Sequence, residues 1–214
     1  MTYTVGDTRD KILSISQELF TQNGFYDTQM TDIAKQVGIS RTSLYRYYKD
    51  KFSLGLAIIE RVMNSEMVTE NANALSEQIA NSENGLEKLK QFILFYWGGS
   101  RFDDVERFLA EFDGYFTSQR LSTEDIEKLQ IQISKNTTGL LIKSYIDEGI
   151  IDGSIKSNLD SMLASITIIN TIRSLKHRLI LRGDTLVEIT PNSYEEVMNN
   201  AIEFILHGLE NSGK

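Results

Sequence analysis

Proline is almost absent from this chain: Pro191 is the single proline among 214 residues. Proline breaks or kinks helices, so its scarcity leaves long segments free to be helical. No run of alternating apolar and polar residues marks a β-strand. The chain is rich in Leu, Ile, Glu, Lys and Gln, most of which are good helix formers, and 41% of its residues are hydrophobic. We therefore expect an all-α fold with a substantial core.

Apolar residues recur at helical spacing in nine segments, separated by turns rich in Gly and Asn. The predicted helices span residues 8–22, 30–36, 41–48, 51–80, 85–97, 102–118, 122–148, 157–182 and 193–211. The predicted breaks are 98–100, 149–157 and 183–192. Ser193 and Glu196 form a capping-box pattern at the start of the last helix. The pattern divides into a small N-terminal domain over residues 1–50 and a larger helical domain over residues 51–214.

The net charge of −8 is unevenly distributed. Basic and acidic residues balance over residues 1–60, so the negative charge falls on residues 61–214. Between residues 35 and 51, five basic residues accompany a single acidic one, Asp50. A local basic face on an acidic protein indicates a site for an anionic partner such as nucleic acid.

Several classes of protein are excluded by what the sequence lacks. There is no cysteine, which excludes disulfides, thiol catalysis and zinc–thiolate sites. No stretch of 18 apolar residues predicts a membrane span, and residues 1–10 carry no apolar signal-peptide core. We expect a cytoplasmic protein with no metal and no cofactor.

Two short predicted helices around a tight turn, centred on residues 28–52, have the features of a helix-turn-helix. Ala34 is small enough for a helix crossing, and Gly38 can adopt the backbone angles that the turn requires. Ser40 stands at the N-cap of the second helix, and Asp50 at the N-cap of the helix that follows. Leu44 is placed to point inward, which leaves the polar residues of 41–47 to face a DNA groove.

The same segment resembles the N-terminal domain of the TetR family of transcriptional regulators over about residues 8–60. The matching elements are spaced along one stretch, and they are Gly24-Phe25, Ile33-Ala34, Gly38-Ile39-Ser40, Leu44-Tyr45, Tyr47-Tyr48 and Lys51. The resemblance implies a helix-turn-helix DNA-binding domain followed by a helical domain for effector binding and dimerisation. The remaining residues resemble the family in helical pattern and length alone.

The resemblance also implies roles for individual residues. Arg41, Thr42 and Ser43 open the recognition helix, where Arg can bind guanine and Thr can contact a thymine methyl group. Thr31 matches a second position that reaches a base. The residues expected to contact phosphates, with Arg46 able to reach either base or backbone, are Tyr45, Arg46, Tyr47 and Lys51.

The leading edge of the motif departs from the family pattern. In the family, a Thr or Ser is usual near the position of Gln29, where it caps the helix predicted here at residues 30–36 and contacts phosphate. Gln is a weaker N-cap. We expect Thr28 to take over that role. Asp32 places a negative charge on the same side but suits the helix dipole.

The C-terminal helices indicate a homodimer. Residues 162–180 are apolar around more of the helix circumference than a one-sided surface helix needs, and residues 197–209 add a second apolar stripe. The resemblance implies that these last two helices pair with those of a second copy. The alternative is that both stripes belong to the core of one chain.

Residues 92–116 are rich in aromatic side chains, which suit the wall of a site for a small organic ligand. The expected pocket residues are Phe92, Tyr96, Trp97, Phe108, Phe112, Tyr115, Tyr145 and Arg173. Further candidates for polar anchors are Arg101, Arg107, Glu111 and His177. Each aromatic residue can equally be a core residue.

The function expected is that of a sequence-specific DNA-binding regulator, most simply a repressor released from a palindromic operator by a small molecule. An enzyme is disfavoured, because His177 and His207 stand in no metal or triad pattern. The alternative that remains is a helical adaptor that binds protein and not DNA.

Overall fold

The computed structural model describes residues 5–63, 66–98, 104–115, 121–134, 137–190 and 193–211. These residues form the predicted all-α fold and contain no β-strand, only an isolated bridge between Ile155 and Glu210. The helices are α1 (Val5–Asn23), α2 (Met30–Val37), α3 (Arg41–Tyr47), α4 (Lys51–Met63), α5 (Glu66–Ala80), α6 (Gly85–Trp97), α7 (Asp104–Tyr115), α8 (Thr123–Ser134), α9 (Thr138–Asp152), α10 (Ser161–Arg182) and α11 (Tyr194–Leu209).

Within these ranges, no helix is long and apolar enough to span a membrane. A 3-10 turn, Gly183–Thr185, follows α10. Pro191, together with residues 99–103 of the predicted break and helix start, lies outside the described residues.

Two predicted helices are each represented by a pair of helices. Segment 51–80 corresponds to α4 and α5, and segment 122–148 corresponds to α8 and α9; residues 64–65 and 135–136, between the members of each pair, are not described. The break predicted over residues 149–157 begins four residues too early, because α9 continues to Asp152 and is capped by Gly153, which has a φ of +83°. The capping box predicted at Ser193 does not form: its side chain makes no cap bond, and its hydroxyl lies 2.8 Å from that of Thr190.

The chain folds as two compact units, which differ from the predicted division at residue 50. Unit 1 comprises residues 1–70 and 102–117, and unit 2 comprises residues 71–101 and 118–214. The helix-turn-helix therefore shares its unit with α4 and α7. The segment that contains α7 is flanked in sequence on both sides by segments of unit 2.

Unit 1 is built around large apolar side chains from α1 to α4, the turn after α1, and α7. The fully buried ones are Ile12, Phe20, Phe25, Ile33, Leu44, Leu54, Ile58 and Phe108. Helix α4 crosses α7 closely at Gly55, where a Cβ atom would lie 2.2 Å from the ring of Phe112. Burial of this kind contributes on the order of 2 kcal/mol per large side chain.

Unit 2 is a helical layer in which α9 packs against α6 and α10, while α11 packs against the same two helices. Glycine permits the closest approach: a Cβ atom on Gly85 would lie 2.1 Å from the backbone nitrogen of Gly149. Gly85 therefore admits the backbone of α9 at Gly149, and a Cβ atom on Gly149 itself would lie 2.6 Å from the side chain of Ile155. The buried hydroxyl of Ser165 on α10 donates to the carbonyl of Gly139 on α9, at 2.7 Å.

Candidate nucleic-acid interface

Helix α2 is fixed at both of its ends. The Asp32 carboxylate accepts a hydrogen bond from the Gln29 amide at 3.1 Å, so Asp32 satisfies one of the free amides at the helix start. Gly38 adopts the left-handed conformation, with a φ of +83°, and its amide donates to the carbonyls of Ala34 and Lys35. Ala34 is buried beside α3, as the sequence predicts.

Helix α3 has the cap and inner face that the sequence predicts. The Ser40 hydroxyl accepts a hydrogen bond from the Ser43 amide at 3.1 Å, and Leu44 is fully buried. Arg41 and Thr42 are exposed at the start of the helix, whereas Ser43 is half-buried. The first turn of α3 therefore presents one cation and one hydroxyl to solvent.

Arg41 is held along its own helix by Tyr45, one turn later. The guanidinium carbon of Arg41 lies 5.4 Å from the centroid of the Tyr45 ring, in cation–π geometry, and the Arg41 Nη2 atom is 3.5 Å from the Tyr45 hydroxyl. Tyr45 is 38% exposed. The pair gives the Arg41 side chain a preferred orientation before any DNA is bound.

The other residues expected at DNA are also accessible, with two exceptions. Thr31 and Arg46 are exposed, and Tyr47 is half-buried. The exceptions are Thr28, which lies in the turn of residues 24–28 that joins α1 to α2, and Lys51 of α4, which binds the backbone of that turn.

Thr28 is a structural residue of this 24–28 turn, which corrects the expectation of a phosphate contact. Its side chain is almost fully buried, and its hydroxyl donates to the carbonyl of Gly24 at 2.8 Å. A hydroxyl buried inside the turn is not available to an anion outside it. The capping function that the sequence transferred to Thr28 is supplied by Asp32 instead.

Lys51 also differs from the predicted phosphate contact. Its ammonium donates to three carbonyl oxygens of the 24–28 turn: those of Phe25 at 2.6 Å, Tyr26 at 3.0 Å and Thr28 at 3.1 Å. Partial burial lowers the pKa of Lys51 from its ordinary value, against the opposing effect of the charge on Asp27. Because an ammonium has three donors, these carbonyls occupy its whole hydrogen-bonding capacity.

Arg9 is a cation near α3 that the sequence did not single out. Its Nε atom donates to the Tyr48 hydroxyl at 3.2 Å, and its guanidinium lies over the Tyr48 ring. This hydrogen bond raises the pKa of Arg9. Tyr48 is the residue that ends α3, so Arg9 brings positive charge to the end of the recognition helix. No local sequence pattern links two residues so far apart in the chain.

The aromatic residues expected around a ligand divide between the two units. Phe108, Phe112 and Tyr115 of α7 pack with Phe25 in unit 1, with ring centroids 5.1–6.1 Å apart. They form part of the core beneath the helix-turn-helix. Of the polar residues expected to anchor a ligand, Glu111 accepts a hydrogen bond from the Phe25 amide in the 24–28 turn, and Arg107 pairs with Glu111.

The other expected pocket residues belong to unit 2. Phe92 packs against Tyr96, Trp97 and Tyr145, with ring centroids 4.8, 6.2 and 5.8 Å away, respectively. Partial burial raises the pKa of the phenols of Tyr96 and Tyr145 from its ordinary value. Arg173 is exposed on α10, while Arg101 lies outside the described residues.

Helices α10 and α11 share an apolar groove of about 590 Å³. Its lining includes Leu163, which is 63% exposed, and Phe204, which is 76% exposed. Met162 and Ile166 are also exposed on the same turns of α10. Exposed apolar surface of this extent on two adjacent helices indicates an interface with another macromolecule. Among the described residues, no cluster of His, Cys, Asp and Glu is suited to a metal ion.

The sequence is similar to those of known bacterial transcriptional regulators. Residues 12–58 match the family model described as "Bacterial regulatory proteins, tetR family". The chain is 23% identical over 201 residues to the fatty acid metabolism regulator protein of Bacillus subtilis (strain 168), covering 94% of this chain and 95% of that protein. It is 37% identical over 59 residues to an HTH-type transcriptional regulator of Staphylococcus aureus (strain bovine RF122 / ET3-1), covering 28% and 32% of the two chains.

Among solved structures, the fold resembles the transcriptional regulator FadR from Bacillus subtilis in complex with stearoyl-CoA. The TM-score is 0.63 at 21% sequence identity, and the likeness covers 94% of this chain and 99% of that one. This likeness extends the family fold beyond the helix-turn-helix to both units. Residues 12–58 are similar to the DNA-binding domain of the tetR family of bacterial regulatory proteins, and on this match the chain is a DNA-binding transcriptional regulator.

Proposed function

We propose that this regulator is a repressor that binds a palindromic operator as a homodimer and is released from it by a small molecule. The observation that carries the proposal is the Ser40-capped start of α3, where Arg41 and Thr42 are exposed within a matched helix-turn-helix. Such a helix end inserts into the major groove, and a two-fold dimer places two of them about 34–36 Å apart. The regulator binds its operator in the cytoplasm, where the DNA of a bacterial cell lies.

The proposed contacts fall into two groups. Arg41, Thr42 and Ser43 read base edges, because they form the first turn of α3, and Thr31, exposed in the first turn of α2, adds a further base contact. Tyr45, Arg46 and Tyr47 contact the phosphate backbone and hold the helix in register. Thr28 and Lys51 are left out of both groups, since their polar atoms are bonded within unit 1.

The proposed dimer forms through α10 and α11. A second copy of the chain fits the groove between these helices, since a two-fold axis matches each exposed apolar patch with its own copy. Phe204 is the residue expected to contribute most to the dimer, because a phenylalanine that is 76% exposed in one chain loses a large apolar surface from water when a second chain covers it.

For the ligand we propose a molecule with a long apolar chain, such as an acyl-CoA. Two comparisons support this class: the Bacillus subtilis relative is named as a regulator of fatty acid metabolism, and the similar structure was solved with stearoyl-CoA. The residues proposed to meet the ligand are Phe92, Tyr96, Trp97 and Tyr145 of unit 2. The aromatic residues of α7 are not included, because they form the core of unit 1.

The position of the only tryptophan makes the proposal testable without a label. Trp97 lies 6.1 Å from the Tyr96 ring, between centroids, so its emission reports on this aromatic cluster. A DNA duplex selected by the protein from a random library serves as the operator. Stearoyl-CoA is titrated into the complex while Trp97 emission and the anisotropy of the DNA are followed, with free CoA and stearate as controls.

We expect stearoyl-CoA to change the emission and release the DNA with a common midpoint, and free CoA to do neither. Coupling of about 1–3 kcal/mol would weaken the affinity for the operator some 5- to 150-fold. Unchanged emission together with unchanged operator affinity would reject an acyl-CoA as the ligand. The proposal includes no catalytic step, because the relatives are named as regulators.

A further inference from the structure

One residue of the 24–28 turn between α1 and α2, Phe25, is hydrogen-bonded to side chains of two helices, α7 and α4. Phe25 has its amide bonded to the Glu111 carboxylate of α7 at 2.5 Å and its carbonyl bonded to the Lys51 ammonium of α4 at 2.6 Å. Both polar groups of one peptide residue are thus bound by full charges of opposite sign. Hydrogen bonds to charged groups are about twice as strong as those between neutral groups.

Glu111 is built into this position rather than resting on the surface. Its side chain is only 9% exposed, and its second carboxylate oxygen accepts from the Arg107 Nε atom at 3.1 Å. A Cβ atom on Gly24 would approach the carboxylate to 2.9 Å, and Gly24 has a φ of +85°. A larger residue at position 24 would be strained in its backbone and would also push the carboxylate away.

The turn that Glu111 holds sets the start of the DNA-binding motif. Gln29, the N-cap of α2, follows Thr28 directly, and α2 in turn packs against α3. A displacement of Phe25 is therefore transmitted over a few residues to the helix that supports the recognition helix. Glu111 itself lies outside the family match of residues 12–58.

We propose that Glu111 is a positioning residue for operator binding, which acts by fixing the Phe25 amide and through it the placement of α2 and α3. The proposal rests on DNA binding through α3, and it assigns Glu111 to the helix-turn-helix rather than to a ligand. When the bond is absent, the turn samples other conformations. Apparent operator affinity then falls in proportion to the fraction of molecules that remain competent to bind.

The test compares full-length variants Glu111→Ala, Glu111→Gln and Arg107→Ala. Arg107→Ala is the matched control, because it removes the exposed partner of Glu111 and leaves the bond to Phe25. The measurements are operator affinity at several salt concentrations, hydrogen exchange of the Phe25 amide, and thermal unfolding. Arg41→Ala serves as a reference for DNA binding through α3.

We expect Glu111→Ala to weaken operator binding about tenfold or more and to speed exchange at Phe25. The salt dependence should not change, because no phosphate contact is lost. Arg107→Ala should bind within about twofold of the parent protein. A purely stabilising role would lower the melting temperature but leave the affinity of the folded protein intact, and that result would overturn the proposal.

If Glu111→Ala does not fold, Glu111→Gln decides the matter. The amide oxygen of Gln still accepts from Phe25 but without the charge, so we expect binding about two- to fivefold weaker and faster exchange at Phe25. Parent values for both would contradict the proposal. Unchanged binding by Arg41→Ala would instead reject the proposed role of α3, whatever the behaviour of the Glu111 variants.

Discussion

Replacing Lys51 with methionine separates a structural lysine from a phosphate contact. Methionine keeps an apolar chain beside the rings of Phe25 and Tyr115, over which the ammonium now lies, and it removes the charge. Three carbonyl oxygens then lose their donor. A hydrogen bond to a charged group contributes about 1.5–3 kcal/mol.

The sum of three such bonds overestimates the effect, because Lys51 is half-buried and water can reach part of the site. We expect the free energy of unfolding to fall by about 2–4 kcal/mol, the equivalent of one to two bonds. For a chain of this length, the melting temperature should fall by about 4–16 °C. Calorimetry or circular dichroism measures this change directly.

Salt-dependent DNA binding, measured well below the melting temperature, completes the experiment. Loss of one phosphate contact per protomer would reduce the log–log slope of a dimer by about 1.8. We expect no such reduction for Lys51→Met. The control, Lys35→Met, removes an exposed charge of the same region and should leave the melting temperature unchanged. An unchanged melting temperature with a slope reduced by about 1.8 would refute the structural role of Lys51.

Three further substitutions test other parts of the molecule. Arg41→Ala should cost about 1–3 kcal/mol in operator binding and relax specificity at one base pair, as measured against a panel of single-site operator variants; equal weakening on every sequence would make Arg41 a phosphate contact. Gly85→Ala should lower the free energy of unfolding by about 1–3 kcal/mol or more, because its Cβ meets the α9 backbone. The control Gly139→Ala, whose Cβ would have its nearest neighbour 3.6 Å away, should be neutral or stabilising by up to about 1 kcal/mol in the same unfolding assay. Phe204→Asp should give a monomer in sedimentation velocity, while Val187→Asp, at a 96% exposed site in the loop after α10, should not; a dimeric Phe204→Asp protein would place the interface elsewhere.

Features fixed by local chemistry could be predicted from the sequence. Ser40 caps α3, Asp50 accepts from the Ser53 amide at the start of α4, Gly38 forms the turn and Leu44 is buried, all as expected. The two caps and the turn depend on residues at most four positions apart, and the burial of Leu44 follows from the helical spacing of apolar residues. The same local pattern also predicted DNA binding, and the family match over residues 12–58 supports that function.

Features that depend on distant partners could not be predicted in this way. The Lys51 ammonium binds carbonyls 23–26 residues away, and the amide that Glu111 binds lies 86 residues away. Nothing in the composition of either neighbourhood specifies such a backbone partner. Proximity in sequence also misled, since Trp97 and Phe108 stand close in the chain yet belong to different units.

Gly149 illustrates the same limit for helix boundaries. A glycine between helical segments is typical of a break, but Gly149 lies inside α9, where its backbone packs against Gly85 of α6. Whether a glycine ends a helix or lies against another one depends on a neighbour that the local sequence does not contain. The true end of α9 is Gly153, where φ is positive.

Whether this protein binds DNA is decided by how its affinity for a duplex changes with salt concentration. If each protomer of a dimer uses the four cations of residues 35–51 other than Lys51, which are Lys35, Arg41, Arg46 and Lys49, about eight phosphates are neutralised. The logarithm of the binding constant for a random duplex should then fall with the logarithm of salt concentration with a slope near −7. A steep slope of about this size supports a DNA-binding regulator. A flat response would contradict it and would favour a helical adaptor that does not bind DNA.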